Sequence, residues 1–144
     1  MKTTRRKFIQ LSTAAAALPI ASALATTSAT KPIVISTWNF GLQANEAAWA
    51  ILSKGGRALD AVEAGARVPE GDPKETSVGL GGLPDRDGHV TLDACIMDEQ
   101  GNIGSVAFLE GIVHPVSVAR MVMEKTPHVM LVGKGAQQFA LANG

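Results

Sequence analysis

Apolar and polar positions alternate in two distinct rhythms along the chain, and the changes of rhythm mark the elements. Residues 32–37, "PIVIST", form a short β-branched run that reads as a buried strand. The next stretch, "NEAAWAILSKGG", switches to helical spacing at Ala47, Ala48, Ile51 and Leu52, with Asn45 as N-cap and Gly55-Gly56 as the stop. Trp49 falls inside this helix and reads as core. A second helix is predicted over residues 57–68, with Leu59, Val62, Ala66 and Val68 near one face and Pro69 and Gly71 breaking it. From His89 the period shortens to two. "HVTLDACIMDEQGNIGSVAFLE" predicts a hairpin with its turn at residues 99–102, where Gly101-Asn102 suits a tight reversal. Pro115 then opens a helix with an apolar stripe of Val118, Met121 and Val122, and Pro127 bars its continuation. "HVMLVG" is strand-like, and a short helix, "GAQQFALANG", follows.

Helices kept apart from an antiparallel pair indicate an α+β layered fold. Two or three strands make a small sheet for so many apolar helices. The expectation is therefore part of a larger domain.

The chain has 144 residues, of which 46% are hydrophobic, a globular composition. Its zero net charge conceals an asymmetry. Lys2, Arg5, Arg6 and Lys7 cluster at the start, and the remaining nine basic residues face thirteen acids. A mildly acidic body does not suit nucleic acid as a partner. The basic start precedes a weakly apolar stretch over residues 11–25, too short for a bilayer span of about 20 residues. Ala23-Leu24-Ala25 matches a small-residue cleavage site, with the cut after Ala25. Arg5-Arg6 resemble a twin-arginine export signal. Three segments are expected: a signal at 1–25, a polar lead-in at 26–30 and a folded portion at 31–144. The expected location is periplasmic or extracellular, with no stable membrane anchor.

A single cysteine, Cys95, cannot form an internal disulfide and reads as a small buried hydrophobe. His89, His114 and His128 lack zinc spacing, and His114 before Pro115 reads as a residue at a helix entrance. Asp85, Asp87 and Asp93 hint at calcium, but the full loop spacing is missing and an aspartate-rich turn is the simpler reading. No metal or cofactor is expected.

The loop "SVGLGGLPDRDG" is the most unusual stretch. Gly79, Gly81 and Gly82 could cradle a phosphate, make a tight turn or shape a pocket wall. The phosphate reading fails, because neither Gly-x-Gly-x-x-Gly nor a Gly-Lys-Ser/Thr ending is present. Close backbone packing is favoured.

Taken together, "ISTWNFG", "AAWAILSKGGRALDAVEAGARVPEGDP", "SVGLGGLPDRDGHVTLDACIMD" and the run from "IGSVAFLEG" to "GAQQFA" resemble the α-chain portion of the glycosylasparaginase (aspartylglucosaminidase) family. The resemblance runs in continuous order from Lys31 to the end. It implies an N-terminal-nucleophile hydrolase with a four-layer αββα sandwich, made as a precursor that cuts itself. The nucleophile would be the N-terminal threonine of a β-chain, with its own α-amine, of pKa about 8, as general base. No Asp-Thr or Gly-Thr pair occurs in this chain. The resemblance therefore implies no catalytic residue here and no activity for these residues alone. It implies a β-chain partner, a dimer of αβ heterodimers and a glycosylated asparagine or related aspartyl-amide substrate. Trp38 would line the substrate pocket and support self-cleavage. Ser77 would lie near the active-site wall, although a turn serine is an equal reading of the residue. The glycine loop would approach the nucleophile. The wider family adds isoaspartyl peptidases and asparaginases as alternatives, and a silent fragment is the reading from a different class.

Overall fold

The computed structural model describes residues 31–144, and residues 32–144 form one compact unit. Arg5, Arg6, the cleavage site after Ala25 and the lead-in at 26–30 lie outside the described residues. The elements are α1 (Gly41–Leu52), α2 (Ala58–Glu70), a 3-10 turn at Gly79–Gly81, β1 (Leu92–Met97), β2 (Ile103–Leu109), α3 (Pro115–Lys125), β3 (Met130–Val132) and α4 (Gly133–Ala142). The mixed α/β architecture matches the expectation.

β1 and β2 pair antiparallel, and β3 joins β2 in parallel to complete a three-stranded sheet among the described residues. Period-two alternation then sorts the side chains. Ile96 and Val106 share one face, and Leu109 is brought onto it by an extra residue in β2. These three are buried together with Val116, Val118, Ala119, Val122, Ala136 and Ala140 of α3 and α4, while Leu92, paired with Leu109, is buried near Gly82. Leu109 and Val122 have no solvent exposure. The alternate positions leave the opposite face bare: Met97, Ile103, Met130 and Val132 are all exposed there. Cys95 lies on that face, opposite Ser105, and is exposed, contrary to the expected burial. The apolar run around it conceals its alternation with Ala94 and Ile96.

The register slips between Leu92 and Ala94, forming a bulge. There Phe108 adopts φ +52°, an uncommon conformation for a bulky residue. Its amide donates to Asp93 Oδ1 at 2.8 Å, which holds the kink.

Several boundaries differ from expectation. The segment 32–37 forms no strand, and Ile33 and Ile35 are exposed. A strand needs a neighbour to bond to, and no described strand flanks it. α1 begins four residues before Asn45, where the Gly41 amide bonds the Trp38 carbonyl at 2.7 Å. Asn45 is therefore not a cap. Its Oδ1 accepts from Ser36 Oγ at 2.5 Å and ties the extended segment to the helix. Trp49 is half exposed, not core, because α1 buries the narrow face of Gly41, Ala44 and Ala48. α2 runs through Pro69 to Glu70, since proline's fixed φ is helical and only one backbone donor is lost. The buried face of α2 is Leu59, Ala61, Gly65, Pro69 and Glu70, and Val62 is exposed. β1 begins at Leu92, three residues after His89, because the Asp85 turn absorbs residues 85–89. β3 occupies only the centre of the "HVMLVG" run, and α4 begins two residues earlier than expected.

Candidate functional site

Two small-residue faces bring α1 and α2 close together. A Cβ on Gly65 would stand 2.9 Å from the Ala44 carbonyl oxygen. The extended segment 33–36 lies across this pair, and a Cβ on Gly41 would meet Ser36 Cβ at 2.6 Å. Between them opens a cleft of about 700 Å³. Its walls are Ile33, Ile35, Trp38 and Phe40 on one side and Ala44, Ala48, Ala61, Val62 and Ala66 on the other. The lining is overwhelmingly apolar, with Ser36 and Thr37 as its hydroxyls. Trp38 is 69% exposed and stands where a bound group can reach its ring.

Ser77 does not line this cleft. Its hydroxyl donates to Glu75 Oε1 at 2.5 Å, and its amide donates to the same oxygen at 3.0 Å. These two bonds hold the Glu75 carboxyl below its ordinary pKa. The three glycines pack tightly. Gly79 has φ +59°, and a Cβ there would overlap the Glu70 backbone. A Cβ on Gly81 would run into the Glu75 and Pro73 carbonyls, and one on Gly82 would press on Val90 and the Gly79 carbonyl, each at 3.1 Å. The loop is thus a turn pressed onto the end of α2.

That contact leads to a residue the sequence did not single out. Glu70 is 5% exposed. Its Oε1 accepts the Val116 amide at 3.0 Å, in the first turn of α3, and its Oε2 lies 3.3 Å from His114 Nδ1. Burial pushes the Glu70 carboxyl up to about 7, against the opposing pull of the Val116 amide and Arg67. Burial and Arg67 move His114 below its ordinary value, opposed by Glu63. Glu70 follows Pro69 at a helix end, where a glutamate ordinarily faces water, so local pattern carried no signal. His114 does stand at a helix entrance, as its place before Pro115 suggested.

Beside this junction, Arg120 on α3 bonds Asp60 and Glu63 of α2, each at 2.7 Å, and Glu124 at 2.9 Å. Ser117 Oγ donates to Glu63 Oε1 at 2.5 Å and accepts from Arg67 Nη1 at 2.8 Å.

The remaining polar candidates are separate. Asp85 accepts the amides of Asp87 and His89, and Asp93 serves the bulge. His89 pairs with Glu110 at 3.2 Å, His114 with Glu70, and the His128 amide with Thr126 Oγ1 at 3.0 Å. Among the described residues no cluster of three metal-ligating side chains occurs. No described helix is long and apolar enough to cross a membrane.

A family model described as asparaginase matches residues 17–144. Among curated relatives, a protein of Elizabethkingia miricola named N(4)-(β-N-acetylglucosaminyl)-L-asparaginase is 63% identical across all of this chain, which covers 45% of that relative. The mouse protein of the same name is 47% identical over 78% of this chain and 33% of its own length. An isoaspartyl peptidase/L-asparaginase of Macaca fascicularis is 45% identical over 67% of this chain and 31% of its own. The chain thus spans less than half the length of these relatives.

Proposed function

Because the chain belongs to the asparaginase family matched by that model, we propose that it forms the α-chain portion of an amidohydrolase that cleaves N4-(β-N-acetylglucosaminyl)-L-asparagine. The observation that carries this reading is the 63% identity, over the whole chain, to a relative named for that activity. The match to a relative named isoaspartyl peptidase/L-asparaginase supports a second reading, with β-aspartyl peptides or free asparagine as substrate.

The reacting groups would come from a β-chain of the same precursor. Its N-terminal threonine hydroxyl attacks the side-chain amide carbonyl, and the threonine α-amine takes the proton. Aligned dipoles hold the developing oxyanion, and the amine returns the proton to the departing nitrogen. Water then hydrolyses the acyl-enzyme and releases aspartate. This chain contributes the wall: Trp38 at the mouth of the apolar cleft orients substrate and limits water, and the Ser77 loop borders the site. Residues 31–144 alone carry no hydrolysis in this proposal.

The same reading includes the four-layer sandwich. One face of the sheet is covered by α3 and α4, and the other carries exposed Met97, Ile103, Met130 and Val132. An apolar sheet face of this kind suits a second sheet packed about 10 Å away. Pairing of αβ units and export through Arg5-Arg6 complete the proposal.

The test is hydrolysis by the complete polypeptide of three substrates: the sugar-linked asparagine, a β-aspartyl dipeptide and asparagine. A kcat/KM highest for the sugar-linked asparagine supports the first reading, and preference for the dipeptide establishes the second. Turnover of none of the three refutes both.

A further inference from the structure

Three segments converge on Glu70. It ends α2, its carboxyl meets the first turn of α3, and its backbone is the seat of Gly79. Gly79 opens the turn that ends at Gly82, whose amide bonds the Gly79 carbonyl at 3.1 Å. One residue later, the Leu83 amide bonds the Thr76 carbonyl at 3.1 Å and closes the loop that carries Ser77. Glu70 is the junction between a helix packing and a loop shape.

We propose that Glu70 is a positioning residue, whose carboxyl, held between the Val116 amide and the His114 ring, locks α2 to α3 and so seats the Thr76–Leu83 loop in a proton-dependent manner.

Both bonds persist in either protonation state, and the lock is tighter as the acid, because the buried carboxylate bears a desolvation cost that the neutral acid does not. As a carboxylate, Glu70 accepts from Val116 through Oε1 and from His114 Nδ1–H through Oε2. As an acid, Oε2–H donates to the unprotonated Nδ1 of neutral His114, while Oε1 keeps the Val116 bond. Protonation takes up one proton from solvent: as Oε2 gains its hydrogen, His114 changes from the Nδ1–H to the Nε2–H tautomer, and both partners stay in place. Burial favours the acid form, and the carboxyl accordingly titrates near 7. The charged groups acting on it are Arg67 and Glu63 of its own helix, with His114 across the junction. Arg67 favours the carboxylate and Glu63 opposes it, while Arg120 engages Glu63 through a separate bond. Gly79 presses on Glu70 without any side chain. This inference concerns loop seating and does not depend on the reaction proposed above.

The test is amide hydrogen exchange on the purified protein, expressed as protection factors so that the intrinsic pH effect is removed. In the wild type, protection of the Gly82 and Leu83 amides should rise about tenfold from pH 8 to pH 6, as the acid form fills. Glu70→Gln retains an acceptor for Val116 and a donor for His114, so its protection should be flat across that range. Glu70→Ala should lower protection of these two amides at both pH values. Glu70→Gln with the wild-type pH dependence would overturn the proposal, and so would Glu70→Ala with undiminished protection. If Glu70→Ala does not fold, the Glu70→Gln comparison decides alone.

Discussion

Gly104 of β2 lies directly beneath the backbone of Ala119 in α3. A Cβ at residue 104 would overlap the Ala119 carbonyl oxygen and come within 2.7 Å of Met123 Cβ. The helix rests on the sheet at this bare backbone, which brings Val118, Ala119 and Val122 into contact with Val106 and Leu109. Gly104→Ala is therefore expected to destabilise by about 1–3 kcal/mol through overpacking, and Gly104→Val by more. Denaturant unfolding of both variants measures this, and an unchanged midpoint for Gly104→Val would contradict the contact.

Opening a hole in the same core has a predictable cost. Leu109 is fully buried, so Leu109→Ala should lose about 2–5 kcal/mol. Ile103→Ala, on the bare sheet face, should lose much less while residues 31–144 are by themselves. In a polypeptide where a second sheet covers that face, the two costs should become comparable. Paired unfolding experiments on the two forms read this difference, and equal small losses for Ile103→Ala in both would count against the sandwich.

The Glu70–His114 pair shapes stability against pH. The Glu70 carboxyl is raised from 4.5 to about 7 in the fold. Its contribution is fully present below pH 4.5 and is lost as pH rises through 7, a change of ~3 kcal/mol. His114 is lowered, so its contribution is present above pH 6.5 and is lost as pH falls. The two limbs place this pair's combined optimum in mild acid. Thermal unfolding across pH 5–9 should show the decline towards alkali in the wild type and a weaker one in Glu70→Gln.

Arg120 neutralises three carboxylates from two helices. Arg120→Ala leaves Asp60, Glu63 and Glu124 facing one another and should cost about 1–3 kcal/mol at neutral pH and low salt. The loss should shrink in 1 M salt, where the Debye length falls to about 3 Å. A loss that ignores salt would mean that packing of the arginine stem, not its charge, joins α2 to α3.

In the proposed reading, substitution of Trp38 is expected to separate function from stability. Its ring is largely exposed at the cleft mouth. Trp38→Ala should move stability by only about 0.5 kcal/mol yet lower kcat/KM of the complete enzyme by about tenfold or more. Full activity in this variant would remove Trp38 from the substrate wall.

Legibility in the sequence followed the range of the forces involved. Pro115 at N1 and Pro127 beyond the end delimited α3, because proline acts on its own dihedral and its own missing amide. Gly101-Asn102 marked the hairpin turn for the same local reason. The glycine loop was legible as close packing, but not what it packs against. Residues 32–37 and Cys95 misled, because a β-branched run shows neither whether a partner strand exists nor which side of the pleat a residue faces. Trp38 stood out through its surroundings in the family pattern, and Ser77 with it, though the cleft contains only the first.

By itself, then, the sequence determined the family, through a pattern that runs along the whole of residues 31–144, and the α+β composition, the order of helices and hairpin, and the tight turns, which are carried by neighbours a few residues apart. Tertiary structure alone decided that Glu70 would be buried against Val116 and His114, 44–46 positions away. It also decided that Gly79 would press on that same glutamate and that one sheet face would be covered and the other bare. Those outcomes depend on the desolvation and close contact of groups far apart in the chain, and no local pattern encodes them.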